Sequence, residues 1–221
     1  MPALTDGTAA EPSLPAWFPL RWQLPSAVCP AEPLQGIRPL RWWSAGWYSG
    51  ELRNLILRLR NCPQPDLLAP SAPVLHRALV SITAEQHQQP LLLVPIPSGR
   101  RRGNPLPDLM ARSLLERSAH NLAVAVNMAS TPALLQRSRR VAVQHRLGRQ
   151  QRWRNQWLSF RALLPAPEHK SMGSSVLLID DVLTSGATAM AAQQALQSAG
   201  WSVAGLLCMA RTPQAQGQGV I

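Results

Sequence analysis

Runs of apolar residues alternate along this chain with segments whose apolar residues recur at helical spacing. The wholly apolar runs at 91–97 and 176–179 predict strands that are buried on both faces, as in a parallel sheet. Apolar residues at i, i+3, i+4 and i+7 within 51–60 predict an amphipathic helix. Further strands are predicted at 122–128 and 201–209, further helices at 74–86, 107–118 and 187–199, and no strand at 130–172.

This order of elements predicts the fold class. Strands that alternate with helices predict an α/β domain with a mainly parallel sheet flanked by helices, over residues 74–211. Residues 1–73, rich in proline and tryptophan, are predicted to form a small N-terminal segment or hood. Residues 212–221 are predicted to be a disordered tail. Ligands of such sheets bind beyond the C-terminal ends of the strands, where the loops at 97–103 and 180–188 follow.

Composition narrows the setting of the protein. The 221 residues are 46% apolar, which is enough for a substantial core. Runs of about 18 apolar residues are lacking, so no membrane span is expected. The N-terminus lacks the pattern of a secretory signal, so we expect a cytoplasmic protein. Cys29, Cys62 and Cys208 are widely spaced, which predicts neither a disulfide framework nor a zinc site.

The charge of the chain is large and uneven. The formal net charge is +11, and Lys170 is the only lysine, so arginine carries nearly all of it. Between Glu116 and Glu168 there are many arginines and no acidic residue. Such a segment attracts phosphate groups, on a small ligand or on nucleic acid, although a solvated basic face is the simpler alternative.

The strongest candidate site follows the strand at 176–179. Asp180 and Asp181 leave that strand on opposite faces, and a Thr-Ser-Gly-Ala-Thr run then opens a helix. A loop of this kind points N–H groups at one spot, which is how proteins hold a phosphate. The carboxylates suit sugar hydroxyls or a Mg²⁺-bound ligand. The alternative is that the acids, or Thr184 or Ser185, only cap the helix. Together the groups predict a phosphorylated sugar as ligand.

Residues 176–188 resemble the phosphoribosyl-pyrophosphate (PRPP) signature of type I phosphoribosyltransferases. More of the chain, about 41–211, resembles the ComF family of phosphoribosyltransferase-like proteins, which are linked to DNA uptake in competent bacteria. The segments that carry this second resemblance are Val94–Pro97, Arg102–Gly103, Asp108–Ala111, Tyr48, Gly50, Leu52, Arg53, Ile56, Arg60, Gln144, Leu147, Arg152, Asn155 and Phe160. The chain departs from the family in lacking paired cysteines, in a shortened first loop, and in having Pro105 and Leu106 where the family has an Asn-Gln pair.

The resemblance implies a type I phosphoribosyltransferase-like fold and a PRPP site that uses Mg²⁺ without zinc. Asp180 and Asp181 would contact the ribose hydroxyls and the metal. The 5′-phosphate loop would be Thr184, Ser185, Gly186, Ala187 and Thr188, and the pyrophosphate loop would be Ser98, Gly99, Arg100 and Arg101. The basic stretch from Arg137 to Arg154 would correspond to the flexible loop that closes over the pyrophosphate, with Gln144, Arg152 and Asn155 as its candidate residues. For this last group the alternative is an exposed amphipathic helix.

The resemblance further implies transfer of a phosphoribosyl group from PRPP to an acceptor, usually a nitrogen nucleophile, with release of pyrophosphate. No catalytic base and no acceptor can be named from the sequence, and a homodimer is left open. The alternative function is a non-catalytic protein that binds PRPP, a nucleotide or single-stranded DNA during DNA uptake. Trp42, Trp43 and Trp47 are expected to pack in a core, with stacking on a base as the alternative.

Overall fold

Strands and helices alternate along most of the folded chain. The computed structural model describes residues 29–86, 89–99, 103–119, 126–128, 134–138 and 159–213. In chain order the elements are β1 (Leu34–Gly36), β2 (Trp42–Ser44), α1 (Gly50–Asn61), a 3₁₀ helix (Pro65–Leu68), α2 (Ala72–Glu85), β3 (Leu91–Pro95), α3 (Leu106–Ala119), β4 (Val126–Met128), β5 (Leu135–Arg137), β6 (Phe160–Ala162), α4 (Pro167–Ser171), β7 (Ser175–Leu183), α5 (Ala187–Ser198) and β8 (Ser202–Arg211).

A six-stranded sheet forms the centre of the molecule, in the order β1-β2-β8-β7-β3-β4. β1 runs antiparallel to β2. The pairs β2–β8, β8–β7, β7–β3 and β3–β4 are parallel. The predicted α/β class with a mainly parallel sheet is therefore confirmed.

The two faces of this sheet carry separate cores. Successive side chains of a strand point to opposite faces. Leu91 and Leu93 pack on one face with the buried sides of α1, α2 and α3. Leu92 and Val94 pack on the other face with α5 and with the small β5–β6 sheet. This three-layered arrangement explains why the β3 segment is apolar at successive positions rather than at alternate ones.

Residues before the predicted domain take part in the same sheet and core. β2 lies between β1 and β8, and Trp43 is 1% exposed in the core with α1 and α2. A side chain at Gly205 would lie 2.6 Å from the Arg41 carbonyl oxygen, so glycine allows β8 to approach this segment closely. Trp42 is also buried, which confirms core packing for these two rings, whereas Trp47 is 48% exposed.

Two predictions about the strands were wrong. Residues 130–172 hold two strands, β5 and β6, which pair antiparallel, and the short helix α4. Three-residue strands are too short to show a period, which is why the pattern did not indicate them. β7 does not end at Ile179 but continues through both aspartates to Leu183, because its edge pairs with β8 as far as Leu183 opposite Arg211.

Two further expectations concern the C-terminal tail and membrane-spanning helices. Residues 214–221, most of the predicted tail, lie outside the described residues. In the part of the chain that the structure describes, no helix has both the length and the apolar composition needed to cross a membrane.

Candidate functional site at the carboxyl ends of the central strands

The parallel register of β3 and β7 brings two of the predicted loops together. Pro95 lies opposite Ile179, and the Ile96 N–H donates to the Ile179 carbonyl at 2.9 Å. The loop after β3 therefore begins beside the aspartate pair. Two sequence segments that lie about 80 residues apart meet at one edge of the sheet, as parallel strand ends must.

Asp181 points to the face of the sheet that α1 and α3 cover, and it is buried at 4% exposure. Its Oδ2 accepts a hydrogen bond from Arg60 Nε at 2.5 Å and another from Asn104 Nδ2 at 2.5 Å. Burial by itself would raise the pKa of Asp181, but the hydrogen bond and charge of Arg60 and the Asn104 amide hold it below the ordinary value. Asp181 is therefore an ionised group that ties two helices to the strand.

Asp180 points to the opposite face, toward α5 and the β5–β6 sheet. It is only partly buried, and its Oδ1 accepts the backbone N–H of Asp181 at 2.8 Å. Burial, followed by the neighbouring charge of Asp181, raises the pKa of Asp180 to about 7. A carboxyl group with a raised pKa lacks enough positive charge around it, so a bound cation would stabilise its ionised form.

The predicted phosphate loop turns directly from β7 into α5. Gly186, at the start of α5, has φ +78°, a left-handed conformation that favours glycine. Thr184 and Ser185 are exposed, and Ser185 Oγ accepts the Ala187 N–H at 3.4 Å. The first N–H groups of a helix lack partners within it, so this turn offers donors to an anion. Because the hydrogen bonds of the aspartates go elsewhere, the acid pair does not cap α5.

Pro39 closes one side of this turn. A Cβ atom at Gly186 would collide with the ring of Pro39, so a side chain there would displace the segment between β1 and β2. The loop is therefore framed by β7 and α5 on one side and by a residue of the N-terminal segment on the other. Glycine is required at 186 both for its conformation and for this close approach.

Arg137, at the end of β5, links the first loop to the face of Asp180. Its Nε donates to the Pro97 carbonyl at 3.0 Å, and its guanidinium lies 4.9 Å from the centre of the Phe160 ring. A Cβ atom at Gly99 would lie 2.9 Å from Arg137 Cζ, so the loop is in close contact with this arginine. Burial lowers the pKa of Arg137, while the charge of Asp180 acts in the opposite direction.

The structure therefore brings together part of the predicted site. Asp180, Asp181, Ser98, Gly99 and the 184–188 loop lie at one edge of the sheet. The remaining predicted residues lie outside the described residues, so their placement stays a prediction: Arg100, Arg101, Gln144, Arg152 and Asn155.

Three residues at this edge were not predicted as site residues: Arg60, Asn104 and Arg211. Asn104 also accepts the Leu106 N–H at 3.3 Å through Oδ1, at the start of α3. The signal that could have indicated Asn104 is an Asn before a helical pattern, which is typical of a cap. For Arg60 the signal is a basic residue in the last turn of an amphipathic helix.

Asp180 is the carboxylate at this edge that could contribute to holding a magnesium ion. Mg²⁺ is commonly held by one or two carboxylates together with phosphate oxygens and water. Asp180 supplies one carboxylate whose pKa is raised to about 7. Among the described residues, no three His, Cys, Asp or Glu side chains cluster to hold a metal by themselves.

Comparison with protein-family models found no match to this chain, and comparison with curated proteins found none either.

Proposed function

We propose that this chain binds PRPP with Mg²⁺ and is a phosphoribosyltransferase-like protein related to the ComF family. The observation that carries the proposal is the meeting of three features at one edge of the sheet. A carboxyl group with a pKa raised to about 7, a glycine-containing turn that opens α5, and the loop after β3 lie there. Each feature suits one part of PRPP: the sugar, the 5′-phosphate and the pyrophosphate.

The residues would divide the work according to their position. Asp180 would hold the ribose hydroxyls and the cation, since it is the aspartate on the face of the phosphate turn. Residues 184–188 would donate N–H and hydroxyl groups to the 5′-phosphate. Asp181 would hold Arg60 and Asn104 in place rather than touch the sugar. Ser98, Gly99, Arg100 and Arg101 would surround the pyrophosphate.

In the proposed reaction, the bond from the anomeric carbon to pyrophosphate breaks and a bond to an acceptor nitrogen forms. The acceptor's proton passes to water, and pyrophosphate leaves with the electron pair. Mg²⁺, when bound, neutralises charge on the leaving group. Arginine suits the same task because its planar guanidinium binds phosphate oxygens with two donors. Donors aimed at the developing charge stabilise the transition state more than the ground state.

The first test is calorimetric titration of the full chain with PRPP and Mg²⁺, with wild type and Asp180→Asn compared. Loss of the carboxylate should weaken binding by about tenfold or more, since hydrogen bonds to charged groups contribute about 1.5–3 kcal/mol. Glu168→Gln is the matched control, because it removes one exposed carboxylate from α4, which precedes β7 at the opposite end of the sheet. Equal PRPP affinity in wild type and Asp180→Asn would contradict the site.

Turnover needs a separate measurement. With PRPP and Mg²⁺ present, purine bases, pyrimidine bases and ammonia are offered in turn, and pyrophosphate is measured. Release that depends on an acceptor supports the transferase. Tight PRPP binding with no release from any acceptor supports the non-catalytic alternative.

A second candidate function, binding of single-stranded DNA, is favoured by the charge of the chain. The net charge is +11, and Trp47 presents a half-exposed ring on which a base could stack. Binding through several arginine–phosphate contacts should fall by about a thousandfold or more between 50 and 200 mM salt. Strong, salt-sensitive DNA binding without PRPP binding would favour this candidate over the first.

A further inference from the structure

Arg211 is a buried arginine directly behind the phosphate turn. It is the last residue of β8 and is 2% exposed. Its backbone is held on both sides: its N–H donates to the Gly46 carbonyl at 2.9 Å, and its carbonyl accepts the Tyr48 N–H at 2.8 Å. Across the sheet it pairs with Leu183, the last residue of β7. Its side chain therefore starts from a fixed position next to the turn.

The guanidinium of Arg211 holds the backbone of the turn from behind. Its Nη1 donates to the Leu183 carbonyl at 2.9 Å and also to the Thr184 carbonyl. The Leu183 carbonyl further accepts the N–H of Thr212 at 3.0 Å. Two successive carbonyl groups at the exit of β7 are thus directed toward the end of β8.

Because the peptide bond is planar, this contact also fixes the direction of the N–H groups that follow the two carbonyls. In a trans peptide unit the C=O and the following N–H point in opposite directions. Since the Leu183 and Thr184 carbonyls point to Arg211, the N–H groups of Thr184 and Ser185 point away from it. Both of these residues are exposed, so an anion can approach the turn from the side opposite Arg211.

The guanidinium of Arg211 lies against two backbone carbonyl groups and an aromatic ring. No acidic side chain of the described residues forms an ion pair with it, and its guanidinium instead lies 5.6 Å from the centre of the Trp42 ring. Burial lowers the pKa of Arg211 because the charged form is poorly solvated there. A buried cation in this position makes the turn in front of it more attractive to an anion.

We propose that Arg211 is a positioning residue for the 5′-phosphate, which fixes the N–H groups of Thr184 and Ser185 and supplies positive charge from behind the turn. This inference rests on the proposed function, because it assigns a role within the same site. Arg211 does not touch the ligand itself, since it is almost entirely buried. The ligand class it serves is a phosphate monoester, the group that the turn would bind in PRPP.

The experiment separates the phosphate turn from the rest of the site by the choice of ligand. Calorimetry on the full chain compares ribose 5-phosphate, which needs the turn, with Mg²⁺-pyrophosphate, which would bind at the loop after β3. Arg211→Met should weaken binding of ribose 5-phosphate by about tenfold or more and leave pyrophosphate affinity unchanged. Arg211→Lys, which keeps the charge and one donor, should recover most of the loss.

Arg117→Met is the matched control, because it removes an exposed arginine from the last turn of α3. It should bind both ligands like wild type, which shows that the effect does not come from net charge. The salt dependence of ribose 5-phosphate binding gives a second readout. It should be shallower in Arg211→Met than in wild type, because one cation no longer acts on the anion.

The outcomes distinguish this inference from the function on which it rests. If wild type binds neither ribose 5-phosphate nor PRPP, the proposed function is wrong and the inference is overturned with it. If wild type binds and Arg211→Met binds equally well, only the inference is overturned. Equal loss of both ligands in Arg211→Met shows a general structural role and also overturns it. If that variant does not fold, Arg211→Lys decides, and a loss of both ligands there overturns the inference.

Discussion

At the scale of single residues, two adjacent and chemically identical aspartates have different environments. Strand geometry sends their side chains to opposite faces of the sheet. Asp181 contacts Arg60 and Asn104 and has a lowered pKa, whereas Asp180 lies on the face of the sheet that carries α5 and has a pKa raised to about 7. The difference arises from what covers each face, and it assigns ligand contact to Asp180 alone within our proposal.

The raised pKa predicts how binding depends on pH. A ligand that carries Mg²⁺ binds the ionised carboxylate, so the affinity of wild type should rise by up to about tenfold per pH unit below pH 7 and level off above it. Near pH 7 binding should release about half a proton, measured by calorimetry in two buffers of different ionisation enthalpy. Asp180→Asn corrects for protonation of the ligand's own phosphates. Equal proton release in wild type and this variant would contradict the assignment.

The same shift has an opposite consequence for stability. A carboxyl group whose pKa is raised on folding binds its proton more tightly in the folded state. Its contribution to stability is therefore present at low pH and is lost as the pH rises from about 4 to about 7. Urea unfolding of wild type against Asp180→Asn across this range should show that loss in wild type only.

At the scale of elements, the end of α1 and the residues just before α3 contact the aspartate pair of β7. The predicted apolar spacing of α1 is confirmed, since Leu52, Leu55, Ile56 and Leu59 are buried. The C-terminal turn of the same helix brings Arg60 to Asp181. The Arg60 side chain is 17% exposed and the Asp181 side chain is 6% exposed. The buried apolar face of α1 holds the helix against the sheet. The ion pair between Arg60 in its last turn and Asp181 of β7 also fixes the position of α1 along its own axis.

Removal of one partner of this pair should be costly. Arg60→Met leaves the Asp181 carboxylate buried without its cation, so we expect a loss of about 3–5 kcal/mol in the free energy of unfolding. Because the pKa of Asp181 is lowered, the pair stabilises at neutral pH, and this contribution disappears as the pH falls below about 4. The measurement is urea unfolding at pH 7 and pH 3.

Arg53→Met on the exposed face of α1 is the control, expected to change stability by less than about 0.5 kcal/mol. The double variant Arg60→Met with Asp181→Leu should regain much of the loss, since it removes both charges. A single Arg60→Met variant as stable as wild type would show that the ion pair contributes nothing to folding.

At the scale of the whole molecule, the segment before residue 74 is built into the central sheet. β2 pairs with β8 in parallel, and Trp43 and the apolar face of α1 share one core with Leu177 and Leu207. The segment also frames the candidate site, through Pro39 at the phosphate turn and Arg60 at Asp181. Any contribution of this segment to substrate choice is therefore linked to the stability of the sheet.

A chain that consists of residues 74–221 should consequently fail to fold as the intact protein does. Without β2 and α1, the edge of β8 and the core around Leu207 lose their cover. We expect loss of near-ultraviolet circular dichroism and of a cooperative thermal transition, and binding of a hydrophobic dye. Adding residues 29–73 as a separate peptide should restore part of the signal. A cooperative transition of 74–221 at the wild-type temperature would contradict this expectation.

The sequence by itself determined several of the helices and strands, and it placed the candidate groups of one loop next to each other. Periodicity indicated α1, α2, β3, α5 and β8, because burial selects apolar residues at the spacing of the backbone's own repeat. The Asp-Asp pair before a glycine-containing turn predicted a phosphate site, because all of the groups in this motif are neighbours in the chain.

Only the tertiary structure decided which other residues lie at that candidate site. Arg60, Asn104 and Arg211 reach it from α1, from the loop after β3 and from β8. The spacing of these residues in the sequence does not predict that they lie near the loop at 184–188. Their distances from that loop in space depend on the order of strands in the sheet. The three-residue strands β5 and β6 also depend on tertiary contacts. Each is stabilised by pairing with the other and by packing on the central sheet, and both are too short to show a sequence period.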